Sequence, residues 1–228
     1  MSMTYIEKNL AAVRAELAEA EVAAGREGQT RLIAAVKYAT DEELEALLSL
    51  GVAEVGENRV QQLLAHWDII RAHGAQVHFI GTLQRNKVKY IVDKVAAIHS
   101  VDSSALAAEI SRRAVAAGRT IDVYVEVNSG REEAKSGLLP EDAAALCREI
   151  VDLPGISLVG LMTMAPHCEN PDDYHKYFAE TRRLADEIWQ ALGLSGKPQL
   201  SMGMSESFMA AIAEGAHAVR VGRRLFLK

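Results

Sequence analysis

Several kinds of sequence feature are scarce in this chain of 228 residues, and each scarcity excludes a class of protein. Two cysteines, Cys147 and Cys168, are too few for a disulfide framework and are not spaced as metal ligands. No apolar run approaches the roughly 18 residues of a membrane span. The first residues lack the basic segment and apolar stretch of a secretory signal. We therefore expect a cytoplasmic protein without a membrane partner.

Basic residues are fewer than acidic ones, and the sequence has no segment typical of a linker. Lysine and arginine number 25 against 31 aspartates and glutamates, which gives a formal net charge of −6. Because nucleic-acid binders present basic faces, we expect no nucleic-acid partner. The apolar content of 49% excludes a disordered chain. No stretch rich in proline, glycine and serine divides the sequence, so residues 1–228 are predicted to form a single domain.

Short apolar, β-branched runs alternate with stretches whose apolar residues recur at helical spacing. The predicted strands are residues 32–38, 53–56, 77–81, 96–101, 122–128, 157–163, 199–203 and 218–222. Helices are predicted over residues 6–24, 41–50, 103–117, 140–152 and 171–192. Such alternation implies a parallel sheet, and eight units favour a closed (β/α)8 TIM barrel with an extra N-terminal helix. A doubly wound open sheet is the alternative, but the first strand is not followed by Gly-x-Gly-x-x-Gly.

A lysine stands near the end of the first predicted strand. Ile33, Ala35 and Lys37 share one face of that strand, and this face is expected to line the barrel. Taken alone, such a lysine is most often a solvated strand-end residue. If it is desolvated without a close carboxylate, its amine becomes a nucleophile toward aldehydes. After the second predicted strand, Asn58 either offers an amide to a planar ligand or caps a helix.

The last two predicted strand ends have the composition of an anion site. Small residues and a hydroxyl lie between Ser201 and Ser205, and Gly222 lets the backbone approach a ligand closely. TIM barrels commonly hold a phosphate in these two loops. Arg220 should point inward, toward a barrel carboxylate such as Glu126 or toward a ligand atom. A lysine, a phosphate cradle and an inward arginine together suit the aldehyde phosphate pyridoxal 5'-phosphate (PLP).

At these residues the sequence resembles the pyridoxal phosphate homeostasis (YggS-like) protein family, whose members are single-domain relatives of the alanine racemase barrel. The matching segments run along nearly the whole chain and comprise residues 34–37, 56–61, 78–87, 99–102, 135–137, 160–164, 200–205 and 219–222. The strings His-Phe-Ile-Gly and Ser-Met-Gly-Met-Ser, in this order, are specific. The resemblance implies an alanine racemase N-terminal-domain-like barrel that binds PLP.

The resemblance also implies a set of residues around the cofactor. They are Lys37, Asn58, His78, Ser201, Met202, Gly203, Arg220, Gly222 and Arg223. Lys37 would form the imine with PLP, Ser201 and Gly222 would contact its phosphate, and Arg220 would face its pyridine nitrogen. Arg223 stands where the family commonly has a small residue, usually threonine, so its backbone N–H is expected to take over that phosphate contact, with added charge from its guanidinium.

The expected position of Arg220 bears on catalysis. A permanent cation there opposes protonation of the ring, whereas enzymes that strongly stabilise carbanions usually place a carboxylate there. The sequence ends at Lys228, soon after the last predicted strand, so we expect no second domain like that of alanine racemase. The prediction is a PLP-binding protein of intracellular PLP homeostasis with little or no catalysis and no catalytic residue. A PLP-dependent amino-acid racemase, with His78 or Tyr38 as its base, is the alternative.

Two further possibilities receive less support. A lysine aldolase without cofactor would leave the Ser-Met-Gly-Met-Ser loop without a role. His167, Cys168 and His175 match no ligand spacing, so no metal site is expected. The expected partners are PLP and the PLP-dependent apo-enzymes that would receive it, and the expected state is a monomer or weak dimer.

Overall fold

The computed structural model describes residues 4–133 and 135–228. Its strands are β1 (Arg31–Ala35), β2 (Glu54–Glu57), β3 (Gln76–Phe79), β4 (Ala97–Val101), β5 (Ile121–Val127), β6 (Ile156–Thr163), β7 (Gln199–Ser201) and β8 (Ala218–Val221). They pair in parallel in sequence order, and β8 pairs with β1, so the sheet closes into a barrel. The predicted (β/α)8 barrel is confirmed.

Helices cover the outside of this barrel. They are α1 (Thr4–Ala23), α2 (Asp41–Ser49), α3 (Val60–Ala72), α4 (Ser104–Ala116), α5 (Pro140–Ile150), α6 (Tyr174–Leu192) and α7 (Phe208–Ala213). A 3₁₀ helix, Arg85–Tyr90, connects β3 to β4. Within the described residues, no helix is long and apolar enough to cross a membrane.

The N-terminal helix α1 completes the outer ring. Only a short 3₁₀ turn, Arg223–Leu225, follows β8, and α1 packs between α7 and α2. The buried residues of its apolar stripe recur at helical spacing, at Ile6, Leu10, Val13 and Leu17. Arg224 pairs with Glu16, which ties α1 to the turn after β8. The predicted extra helix therefore occupies the place of an eighth barrel helix.

The apolar core lies between the strands and the helices, whereas much of the barrel interior is polar. Aliphatic side chains such as Val36, Val55 and Val219 belong to the large outer core. Charged and polar side chains buried inside include His78, His99, Glu126, Ser201 and Arg220. Because buried polar groups need partners, this interior is organised by specific hydrogen bonds.

The first and seventh strands end earlier than predicted. The β1–β2 ladder stops at the pair Ala35 and Gly56, and Lys37 lies in the turn that follows. Thr40 then caps α2, accepting a hydrogen bond from Glu43 N–H while the Glu43 carboxylate accepts one from Thr40 N–H. The cap directs the chain into α2, so residues 36–39 belong to the rim of the barrel.

Candidate functional site

A cavity of about 800 Å³ opens at the ends of the strands from which the chain leaves for the helices. Five of the predicted site residues line it: Lys37, Asn58, Arg220, Gly222 and Arg223. Because β8 pairs with β1, the arginine strand and its loop lie next to the lysine turn. The structure thus brings the amine, the amide, the cation and one predicted anion loop to a single cavity.

Lys37 is the cavity amine that follows β1. Its side chain is partly buried in the cavity wall, and Nζ lies 5.1 Å from the centroid of the exposed Tyr38 ring. Among the residues that the structure describes, no carboxylate lies within ion-pair distance of Nζ. An amine without a carboxylate partner, facing a ligand-sized cavity, is what condensation with an aldehyde requires.

Asn58 lines this cavity and has a buried hydrogen-bond acceptor. Its Oδ1 is buried and has no partner among the described residues. A side chain at Gly81 would place a carbon 2.3 Å from the backbone oxygen of Asn58, so glycine lets the loops after β2 and β3 meet. A buried acceptor without a partner is costly, and a ligand that carries a hydroxyl group removes that cost.

Arg220 lies in the cavity floor and is held from below. Its Nη1 donates to Ser201 Oγ at 2.7 Å and its Nη2 donates to the Thr163 carbonyl at 2.8 Å. Burial lowers the pKa of Arg220 to about 10, against the attraction of Glu126. The guanidinium therefore keeps its charge at neutral pH. Sequence analysis left its partner open between Glu126 and a ligand, and did not foresee Ser201 and Thr163.

Glu126 is a cavity residue that sequence analysis considered only as a possible partner of Arg220. Its side chain is buried and lines the cavity, yet its carboxylate makes no hydrogen bond to any other described residue. Burial raises its pKa to about 7, although Arg220 opposes this rise; Asp102 adds to it. Glu126 is therefore a group whose charge changes near neutral pH.

The loop after β7 contributes two hydroxyl groups to the cavity wall. Ser205 and Ser207 both line it, and Ser207 Oγ accepts a hydrogen bond from Met204 N–H at 3.1 Å. Opposite, a side chain at Gly222 would place a carbon 2.9 Å from the Ala35 carbonyl oxygen. Glycine therefore brings the loop after β8 against β1. The candidate anion cradle consists of these two loops.

Four predicted residues lie away from the cavity wall: His78, Ser201, Met202 and Gly203. Ser201 is fully buried, with its Oγ between Arg220 and His99, so the geometry does not support a direct phosphate contact. Ser205, in the same motif and past the strand end, does line the cavity.

Arg223 and His78 have partners of their own. The guanidinium of Arg223 is largely exposed and pairs with Glu206 at 3.1 Å, so it does not add free charge to the anion cradle. His78 is buried beneath the cavity and its Nδ1 lies 2.9 Å from His99 Nε2. No group of three or more potential metal ligands occurs among the described residues.

Comparison with known proteins first defines the class. The family model of the alanine racemase N-terminal domain matches residues 8–227. A crystal structure of an unknown protein from Bifidobacterium adolescentis superposes with a TM-score of 0.89 at 37% identity, covering 98% of this chain and 95% of that one. The protein is therefore a single barrel of the alanine racemase N-terminal type.

Two further relatives define the particular family. A pyridoxal phosphate homeostasis protein of Aquifex aeolicus (strain VF5) is 43% identical over 204 residues, which are 89% of each chain. The structure of PipY of Synechococcus elongatus with PLP bound has a TM-score of 0.85 at 31% identity, covering 97% of this chain and 100% of that one. The chain belongs to the pyridoxal phosphate homeostasis protein family.

Proposed function

We propose that this protein binds PLP in the cavity, holds it covalently through Lys37 and serves PLP homeostasis in the cell, with little or no catalysis. The observation that carries the proposal is the convergence of Lys37, Asn58, Arg220 and the two anion-cradle loops on one cavity. The unpartnered Asn58 Oδ1 supports the fit, because PLP carries a ring hydroxyl that donates to such an acceptor. When bound, PLP supplies an aldehyde that condenses with a primary amine.

The residues of the chain divide the work of binding. Lys37 provides the amine, and Asn58 orients the ring through its free acceptor. Ser205, Ser207 and the backbone beside Gly222 are positioned to hold the phosphate. Arg220 places a fixed cation at the cavity floor, where it opposes protonation of the ring nitrogen. This arrangement favours retention of the cofactor over strong carbanion stabilisation.

Absorption spectroscopy tests the proposal. Purified protein with added PLP should develop an absorption band at about 420 nm, which PLP gives when its aldehyde forms an imine with a lysine. Lys37→Ala should lose the band, whereas Lys135→Ala should retain it, because Lys135 also lines the cavity but is paired with Glu132. A protein that takes up no PLP, or a Lys37→Ala variant that keeps the band, would contradict the assignment.

A PLP-dependent amino-acid racemase is the competing function. It needs a base at the cavity, and of the two residues expected for that role Tyr38 lines the cavity whereas His78 is buried beneath it. Chiral chromatography of an amino-acid panel separates the two functions. Racemisation at about one turnover per second or faster, the lower end of ordinary enzymes, would establish the racemase.

We further propose a cytoplasmic location, PLP-dependent apo-enzymes as recipients of the cofactor, and a monomeric or weakly dimeric state. Transfer is tested by mixing the PLP-loaded protein with an apo-enzyme and following recovery of that enzyme's activity. Light scattering during gel filtration gives the oligomeric state.

A further inference from the structure

A chain of polar contacts runs through the barrel beneath the cavity. Arg220 Nη1 lies 2.7 Å from Ser201 Oγ, and Ser201 Oγ lies 2.8 Å from His99 Nδ1. His99 Nε2 lies 2.9 Å from His78 Nδ1. His78 Nε2 lies 3.0 Å from Glu54 Oε2, a contact that is close but poorly aligned for a hydrogen bond. We call Glu54, His78, His99 and Ser201 the relay.

The relay occupies the part of the barrel that apolar side chains ordinarily fill. Ser201 and His99 are fully buried and His78 is 1% exposed. Glu54 begins β2, so it lies at the end of the barrel opposite the cavity. A buried polar network is favourable only if each donor in it meets an acceptor. The direction of each hydrogen bond therefore determines whether the relay is satisfied.

The two ends of the relay fix that direction. Arg220 can only donate, so Ser201 Oγ accepts from it, and the hydroxyl hydrogen is free to point to His99 Nδ1. His99 then carries its hydrogen on Nε2 and donates to His78 Nδ1. This leaves the hydrogen of His78 on Nε2, facing the Glu54 carboxylate. In this direction both imidazoles carry the same hydrogen, on Nε2.

The surrounding charges agree with this assignment. Burial lowers the pKa of His99 well below its usual range, and the nearby charges of Arg220 and Arg31 lower it further, which keeps His99 neutral. Burial opposes ionisation of Glu54, but the hydrogen that His78 turns toward it and the charge of Arg31 lower the pKa of Glu54.

Two further titratable groups, Asp122 and Tyr124, face the same end of the barrel. Arg31 Nη2 donates to Tyr124 Oη and to Gln199 Oε1. Asp122 interacts with Arg31 and His78 through charge alone. Neither Asp122 nor Tyr124 is a link in the relay.

We propose that the relay positions Arg220. A one-way series of donors, which begins where His78 Nε2 faces the Glu54 carboxylate, orients Ser201 Oγ to accept from the guanidinium, while the Thr163 carbonyl holds its other nitrogen. The charge at the far end of the barrel thus sets how firmly the cavity cation is held. The effect on PLP rests on the proposed function; the relay itself does not.

Nitrogen NMR of histidine-labelled protein without PLP tests the relay directly. His78 and His99 should both carry the hydrogen on Nε2. Glu54→Gln should abolish this single tautomer at His78, because a glutamine amide can donate as well as accept. Asp122→Asn is the matched control, since it removes the same charge at the same end, and should leave both rings unchanged. A hydrogen on Nδ1 of either ring, or a doubly protonated His99, would overturn the proposal.

PLP titration then tests the link to Arg220. Ser201→Ala removes an acceptor from a charged donor and should weaken PLP binding about tenfold, whereas Glu54→Gln should weaken it about threefold and Asp122→Asn not at all. Equal affinities for PLP in the Glu54→Gln and Asp122→Asn variants would refute the proposal that Glu54 acts on Arg220 through the relay. If Glu54→Gln does not fold, Ser201→Ala decides the matter through the His99 tautomer. If the unaltered protein does not bind PLP, the proposed function is contradicted. The NMR test of the relay does not depend on PLP and remains valid.

Discussion

At the scale of single residues, Glu126 makes the stability of the protein depend on pH. Burial raises its pKa from the ordinary value of 4.5 to about 7. Between these two pH values the folded protein keeps a proton that the unfolded chain has lost, so the free energy of unfolding falls as the pH rises. Above about pH 7 the loss is complete and constant.

Glu126→Gln should remove this pH dependence. The amide is neutral at every pH, so the variant should be more stable than the unaltered protein at about pH 8, by at most about 3 kcal/mol, and the gain should shrink toward about pH 5. Urea unfolding at both pH values measures the difference. A gain of equal size at the two pH values would mean that Glu126 does not ionise within this window.

Residue roles were predictable from sequence where side-chain alternation alone decides them. Lys37 and Arg220 were placed on the inner face of the barrel by period-two spacing, and both line the cavity. The expectation of Ser201 at the phosphate came from the family resemblance, whereas in the structure its hydroxyl accepts a hydrogen bond from Arg220. The partnership of His78 with His99 joins β3 to β4 across the interior, and no local pattern signals it.

At the scale of elements, the cavity residues lie at the ends of the strands and in the loops that follow them. All eight strands were predictable because each is a short apolar run, and most of them are followed by a longer helical stretch. Their ends were less predictable, since a strand stops where pairing stops and pairing depends on the neighbouring strand. The region after β3 differs most, because Arg85–Tyr90 forms a 3₁₀ helix where helical stretches were expected to fill the intervals.

Gly222→Ala tests the seam between β8 and β1. The added carbon would lie 2.9 Å from the Ala35 carbonyl oxygen, so the loop after β8 must move away from β1. We expect a loss of about 1–3 kcal/mol in the free energy of unfolding, as for other overpacked sites. PLP titration should also show weaker binding. Unchanged affinity for PLP would remove this loop from the anion cradle.

At the scale of the whole molecule, α1 and the turn after β8 close the outer ring together. Two parts of the chain that are far apart in sequence meet there, through Arg224 with Glu16 and through Asn9 Nδ2, which donates to the Leu227 carbonyl at 2.8 Å. The cavity lies at one end of this closed ring. Its shape therefore depends on the barrel, while α1 contributes stability from outside.

Arg224→Ala should separate these two contributions. The pair with Glu16 is partly exposed, so its loss should lower the free energy of unfolding by about 1 kcal/mol or less and leave PLP affinity unchanged. Arg112→Ala is the control, because Arg112 pairs with Glu109 within a single helix, and it should cost about 0.5 kcal/mol or less. Urea unfolding and PLP titration of both variants provide the measurements. A marked loss of PLP affinity in Arg224→Ala would show that α1 shapes the cavity.

A crystal structure of the protein grown with PLP tests the central claim most directly. The account predicts continuous electron density from Lys37 Nζ to the cofactor, its phosphate between the loops of Ser205 and Gly222, and its ring nitrogen toward Arg220. Density joined to another lysine, or a phosphate bound at the opposite end of the barrel, would contradict it.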